Sequence, residues 1–188
     1  MLKRLTLCFG MLLGVLSTAQ TSMEKRTVKL FLAGDVMTGR GIDQALSNSV
    51  DPVLYEPYVK DARDYLLLAE RASGDIKTPL SYEYIWGDAL KVWKRANPDL
   101  KLVNLETSIT THNEPWPGKG INYRMHPKNV EVLSVAGIDH ASLANNHTLD
   151  WKRPGLQETM KTLKAAGIKF SGVGENIVAA REPTILVT

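Results

Sequence analysis

Three times along this 188-residue chain a short apolar run breaks off into side chains that hold cations or move protons. The runs are LFLAGDVMTGR at 30–40, LKLVNLETS at 100–108 and IDHASLANNHTLD at 138–150. Each begins as a near-continuous apolar strand, the pattern of a parallel sheet covered by helices. Sheets of that kind place their ligand sites just beyond the carboxyl ends of the strands. The third run is the densest, with Asn145, Asn146, His147, Thr148 and Asp150 in six consecutive positions. So many polar groups beside a buried strand are costly unless they bind something. The plainer alternative is an Asn-Asn turn, a surface histidine and an Asp150 that caps the next helix.

The rest of the chain supplies the other strands and the helices between them. The pattern predicts a first strand at 28–33 with Gly34-Asp35 at its end, then Gly39-Arg40-Gly41 and a helix start at 42–46. A strand, a glycine-containing loop and a helix start form an anion site, but no GxxxxGK[ST] supports a nucleotide P-loop. Residues 51–79 carry Pro52, Pro57 and Pro79 around a helical patch at 61–72, and read as a surface excursion able to act as a lid. Ser81 is placed to cap a helix through Ile85, Ala89, Val92, Trp93 and Ala96, with Trp86 and Trp93 as core. A strand at 100–103 carries Asn104-Leu105-Glu106. Residues 115–130 hold Lys119, Arg124 and Lys128 with no acidic residue, interleaved with Trp116 and Tyr123. That segment is either a solvated loop or a clamp for an anionic substrate. A short helix lies between Pro127 and Gly137, a longer one at 154–166 and a strand at 168–171. Residues 183–188 read as one more strand just beginning, so the alternation has no closing element and the chain is expected to be truncated at its carboxyl end.

Lys3 and Arg4 precede an apolar run at 5–16 and the small residues Ser17-Thr18-Ala19, the pattern of a secretory signal peptide cut after Ala19. Residues 20–27 are then a lead-in and 28–188 one domain. The run is too short to span a bilayer, so no stable transmembrane anchor is expected after cleavage. Cys8, the single cysteine, lies inside it. The exported chain therefore has no thiolate ligand, and any metal must sit on Asp, Glu, Asn, His or water. Removing residues 1–19 leaves 21 basic against 20 acidic residues, a balance that argues against nucleic acid as a partner.

Asp35, Glu106, Asn146 and His147, drawn from successive strand ends, form the donor set a dinuclear hydrolase uses. Carboxylates neutralise two divalent cations, an amide oxygen completes a shell and an imidazole protonates the leaving oxygen. Arg40, Asn104, Asn145, Lys119, Arg124 and Asp150 are the expected substrate contacts around that set.

GDVM at 34–37 followed by Arg40-Gly41, YIWGDAL at 84–90, NLETSIT at 104–110, KGINYRMHP at 119–127 and LANNHTLDW at 143–151 resemble the bacterial capsule synthesis family of the CapA type, involved in poly-γ-glutamate. The family is similar in fold to the calcineurin-like metallophosphoesterases. The resemblance implies an α/β/β/α sandwich, here its amino-terminal part. It implies Asp35 as the first-strand metal aspartate, Glu106 as a bridging carboxylate, Asn146 as a ligand and His147 as the acid. Met37 stands where such enzymes have a ligand histidine, and their later histidine ligands would follow Thr188. The implied cofactors are divalent metal ions (Mn, Fe, Zn or Mg). The implied partners are an acidic polymer or phosphoester substrate and other capsule-synthesis proteins. The implied role is that of a hydrolase or of a non-catalytic polyglutamate-binding or export factor.

Overall fold

The computed structural model describes residues 27–188; the expected signal peptide and most of the lead-in lie outside them. Strand β1 (Leu30–Val36) is followed by helices α1 (Gly41–Ala45), α2 (Arg63–Ser73) and α3 (Ala89–Ala96). Next come β2 (Leu100–Leu105), β3 (Ser108–Ile109), β4 (Arg124–Met125), a 3-10 turn at Pro127–Val130 and α4 (Glu131–Val135). Strand β5 (His140–Ser142), helix α5 (Lys152–Ala165), strand β6 (Lys169–Ser171) and helix α6 (Ile177–Arg181) complete the order. The central sheet is parallel throughout, in the order β1-β2-β5-β6, and β3 pairs with β4 in a separate parallel pair.

The fold is α/β with a parallel central sheet. Of the expected sandwich, the second layer is represented among the described residues only by the β3–β4 pair. One face of the sheet buries its apolar side chains: Val103, Leu105, Ala141 and Leu143 join Leu133, Leu156 and Leu163 in one cluster. Phe31 packs on Trp93 at 4.7 Å between ring centroids, and Trp86 meets Trp93 edge-on at 5.1 Å. Such pairs add about 0.5–1.5 kcal/mol to what burial alone gives. Trp93 is core, as the spacing predicts, and Trp86 is half-buried against it, its indole donating to the Val132 carbonyl at 2.7 Å. On the opposite face Leu30 and Leu32 are exposed.

Several boundaries differ from those read in the sequence. The first strand runs on to Val36, so Asp35 sits within it, beyond a register shift between Ala33 and Asp35. The helix expected to start near Ser81 is a run of turns until Ala89, because Gly87 adopts φ 50° and interrupts it. Strand β5 is shorter than expected, and its pairing with β2 covers only His140 to Ser142. Residues 183–188 form no strand; they have no ladder partner, and Thr184 instead donates its hydroxyl to the Phe170 carbonyl at 2.7 Å.

The excursion at 51–79 contains α2, none of whose residues is buried. A bridge between Val53 and Asp61 closes its base.

Candidate functional site

Strand register sets the floor of the site. Asp35 lies opposite Asn104, Asn104 opposite Ser142 and Ser142 opposite Ser171, which makes a polar ribbon across the carboxyl ends of all four strands. Asn104 Nδ2 donates to Asp35 Oδ1 at 2.6 Å, and its Oδ1 accepts from Asn145 Nδ2 at 3.0 Å. Asn145 Nδ2 also reaches the Leu105 carbonyl at 2.9 Å, while its Oδ1 accepts from the His147 backbone N–H at 2.9 Å. That last bond turns the chain sharply after β5 and is the local device asparagine offers in a loop. Asparagines 104 and 145 are therefore spacers between β1, β2 and the histidine loop.

His147 is buried and held on three sides. Its Nδ1 lies 2.7 Å from Asp150 Oδ2, and its ring stacks on Tyr123 with centroids 4.0 Å apart and planes at 25°. Its other nitrogen, Nε2, faces Glu106 Oε1 at 3.8 Å. Glu106 follows β2 directly and is fixed by its own N–H, which donates to the Val36 carbonyl at 2.9 Å. An imidazole bonded through Nδ1 to a carboxylate carries its proton there and leaves Nε2 for chemistry.

Asp150, expected as a substrate contact, is fully buried. Its Oδ2 accepts from the Tyr123 N–H at 2.6 Å as well as from His147, and its Oδ1 accepts from the Lys119 ammonium. The anionic clamp expected of Lys119 and Arg124 has a different form. Lys119 donates to Asp150 and to the Asn146 carbonyl. Arg124 is buried rather than at a rim, with its guanidinium 3.8 Å above the Trp151 ring centroid. It donates to the His112 carbonyl at 2.8 Å, Asn113 Oδ1 at 2.6 Å and the Asp51 carbonyl at 3.1 Å. Arg40 is committed too: its Nε is 2.6 Å from Glu56, and its guanidinium packs over the Tyr65 and Tyr123 rings. Each of the three basic residues has an internal acceptor, since a charge taken out of water needs one.

Arg40 adopts φ 53° in the turn after β1, where its neighbour Gly39 touches β4 so closely that a Cβ would fall 2.6 Å from the Arg124 carbonyl oxygen. The turn is thus wedged against the segment that carries Tyr123. Asp35 and Asn146 are exposed at the mouth, and an open cavity of about 450 Å³ runs past Asn145, Asn146 and Thr148 to Gly172. Among the described residues no three His, Cys, Asp or Glu side chains come close enough to hold one metal ion. Of the expected metal set, Asp35 lies near the end of β1, Glu106 directly follows β2 and Asn146 lies in the loop after β5.

Two contributors lie outside the expected set. Tyr123 supplies a ring and a backbone donor, and its signal was its place four residues after Lys119 in KGINYRMHP. Glu56 holds both Arg40 and the Tyr65 hydroxyl, the latter at 2.6 Å, and nothing local in the sequence marks it.

The family model described as "Bacterial capsule synthesis protein PGA_cap" matches residues 29–188. The chain belongs to this family. A "Probable polyglutamine synthesis accessory protein" of Mycobacterium tuberculosis is 43% identical over 159 residues, covering 85% of this chain and 42% of that protein. The "Capsule biosynthesis protein CapA" of Bacillus anthracis is 24% identical over 156 residues, 81% of this chain and 30% of its own length. An uncharacterized protein of Sinorhizobium fredii is 39% identical over 95 residues, 48% of this chain and 21% of its own. The PGA_cap chain described here thus spans about two fifths of the mycobacterial relative's length. The strand-end site, from Asp35 to Asp150, falls inside the matched region.

Proposed function

We propose that this PGA_cap chain is an exported factor of capsule or envelope polymer biosynthesis whose strand-end site performs hydrolysis, on a phosphoester or on an amide of an acidic polymer such as poly-γ-glutamate. The observation that carries the chemistry is the orientation of His147. Its Nδ1 is bound to the buried Asp150 at 2.7 Å, and Nε2 is turned toward Glu106 and the open edge. In this reading Nε2 takes a proton from the attacking water as its oxygen bonds to the phosphorus or carbonyl carbon, then gives that proton to the departing oxygen or nitrogen as the old bond breaks, and the Asp150 carboxylate stabilises the imidazolium in between. Asn104 and Asn145 keep β1, β2 and the histidine loop in register. Export rests on the charged, apolar and small-residue order of residues 1–19.

A divalent cation on Asp35, Glu106 and Asn146 belongs to the same proposal. The carboxylates do not gather with His147 into a three-ligand group, so no step is routed through a metal. The same fact favours a second reading, in which the site binds polyglutamate or helps export it without turnover. Met37, with its soft thioether, fits that reading as well.

Incubation with poly-γ-glutamate and with bis(p-nitrophenyl) phosphate in manganese separates the two. The hydrolytic reading expects slow product formation from one of them, abolished in His147→Ala while polymer binding remains. Equal polymer affinity in both proteins with no product from either would establish the binding reading instead.

A further inference from the structure

We infer that the strand-end site continues into a groove between α5 and α6 that takes an acidic polyamide chain, with Arg153 holding one of its carboxylates. This rests on the reading of the site as one that handles an envelope polymer, and it selects the polyamide over the phosphoester. The open cavity that passes Asn146 shares Thr148, Leu149 and Gly172 with a second one of about 540 Å³, which runs on along α5 to Arg153, Gln157 and Glu175. Where they meet, a Cβ on Gly172 would fall 2.5 Å from that of Ala144. The turn after β6 is therefore pressed against the start of the histidine loop, and the two cavities share a floor there. Each has the volume of a small-ligand site, and a chain laid through the first enters the second.

Charge and polarity select the occupant. Arg40, Lys119 and Arg124 each have an internal acceptor, whereas Arg153 is exposed and makes no ion pair or side-chain hydrogen bond among the described residues. Among the described residues it is also the one basic side chain lining the two cavities. Its planar fork matches a carboxylate. Glu175, the one acidic side chain lining them among the described residues, is exposed and likewise without a side-chain partner there. It repels a chain charged at every phosphate, but it can accept the N–H of an amide. Gln157, on the same wall as Arg153, both donates and accepts. Beside these polar groups the walls carry exposed apolar surface, Leu149 at 38% and Ile177 at 64% exposure, against which methylene groups pack. A chain of amide bonds with a carboxylate and a short methylene run in each repeat, as in γ-linked glutamate, meets each of these demands. Polyphosphate has neither methylene nor N–H.

Calorimetry of the purified protein with a γ-glutamate oligomer of defined length, at low salt, tests the groove. The oligomer should bind wild type, and Arg153→Gln should weaken binding on the order of 10-fold, with Arg153→Lys between the two. Lys94→Gln, which removes an equal charge from an exposed position on α3, should bind as wild type does. In NMR titrations the amide signals of Gly172, Gly174 and Glu175 should shift with the oligomer, and polyphosphate of the same charge should fail to displace it. The shifts are read on wild type, so they locate the oligomer even if a substituted protein does not fold. Equal affinity in wild type and Arg153→Gln, shifts confined to other elements, displacement by polyphosphate, or no binding at all would overturn the proposal. Because the readout is binding, a site that turns nothing over fails the hydrolytic reading and leaves the groove standing. Turnover of bis(p-nitrophenyl) phosphate without oligomer binding does the reverse.

Discussion

At one side of the strand-end cleft His147 is buried and bonded at its backbone and at Nδ1, whereas Asp35 on the other side is exposed and bonded through its side chain to Asn104 alone among the described residues. The histidine side is assembled from two stretches distant in sequence: the segment with Lys119 and Tyr123, and the loop from Asn145 to Trp151, whose indole donates to the Tyr123 carbonyl at 3.0 Å. The Asp35 side rests on strand pairing. The difference separates two jobs. A group that must present one nitrogen in one tautomer has to be immobilised beforehand, while carboxylates that bind a cation or solvent can remain accessible.

Stability measurements can break this contrast. The largest loss is expected for Asp150→Ala, which leaves the Lys119 charge, the Tyr123 N–H and the His147 Nδ1 without their acceptor. Removing one side of a buried pair costs about 3–5 kcal/mol, seen as a lowered urea midpoint. Asn145→Ala should cost about 1–3 kcal/mol, since the His147 N–H loses its acceptor and the Leu105 carbonyl its donor. Asp35→Ala should stay within about 0.5 kcal/mol, the range of an exposed substitution. A loss at Asp35 equal to that at Asp150 would erase the distinction between the two sides.

A smaller, pH-dependent effect comes from the strand beneath. His140 is buried on β5 against the Ser171 hydroxyl at 3.0 Å, and burial pushes its imidazole below the ordinary value of 6.5. The folded chain keeps His140 neutral where the unfolded chain already binds a proton. Stability should therefore be full above 6.5 and decline as pH falls through the window below it. In His140→Gln that part of the slope should vanish when urea midpoints are compared across the window. His147, one loop away, would not reproduce the change if His140 is its source.

The elements that carry the site were legible because their signals are local. An apolar run ending in Gly34-Asp35, or in Asn104-Leu105-Glu106, marks a strand end whatever it pairs with, and the parallel order follows from helices between strands. The metal-capable residues were legible by type, but not their distances. The fates of Lys119 and Arg124 were not legible at all. Lys119 meets an aspartate 31 positions away, and Arg124 a carbonyl 73 positions away; nothing near either residue distinguishes an inward charge from an outward one. The same holds for Glu56, which reaches Arg40 from the middle of the proline-rich excursion. Residues 183–188 have strand composition, yet composition cannot supply the partner that a ladder requires.

The account holds that the histidine side of this site is held in place by the fold, while Asp35 and Asn146 stay exposed. Calorimetric titration of the metal-free protein with manganese tests that most directly, with Glu106→Gln alongside. The account predicts at most one weak site, lost or further weakened in the variant. Two tight sites in the wild-type chain would contradict it, because they would show that Asp35, Glu106 and the histidine loop close into a two-metal centre without any further ligand.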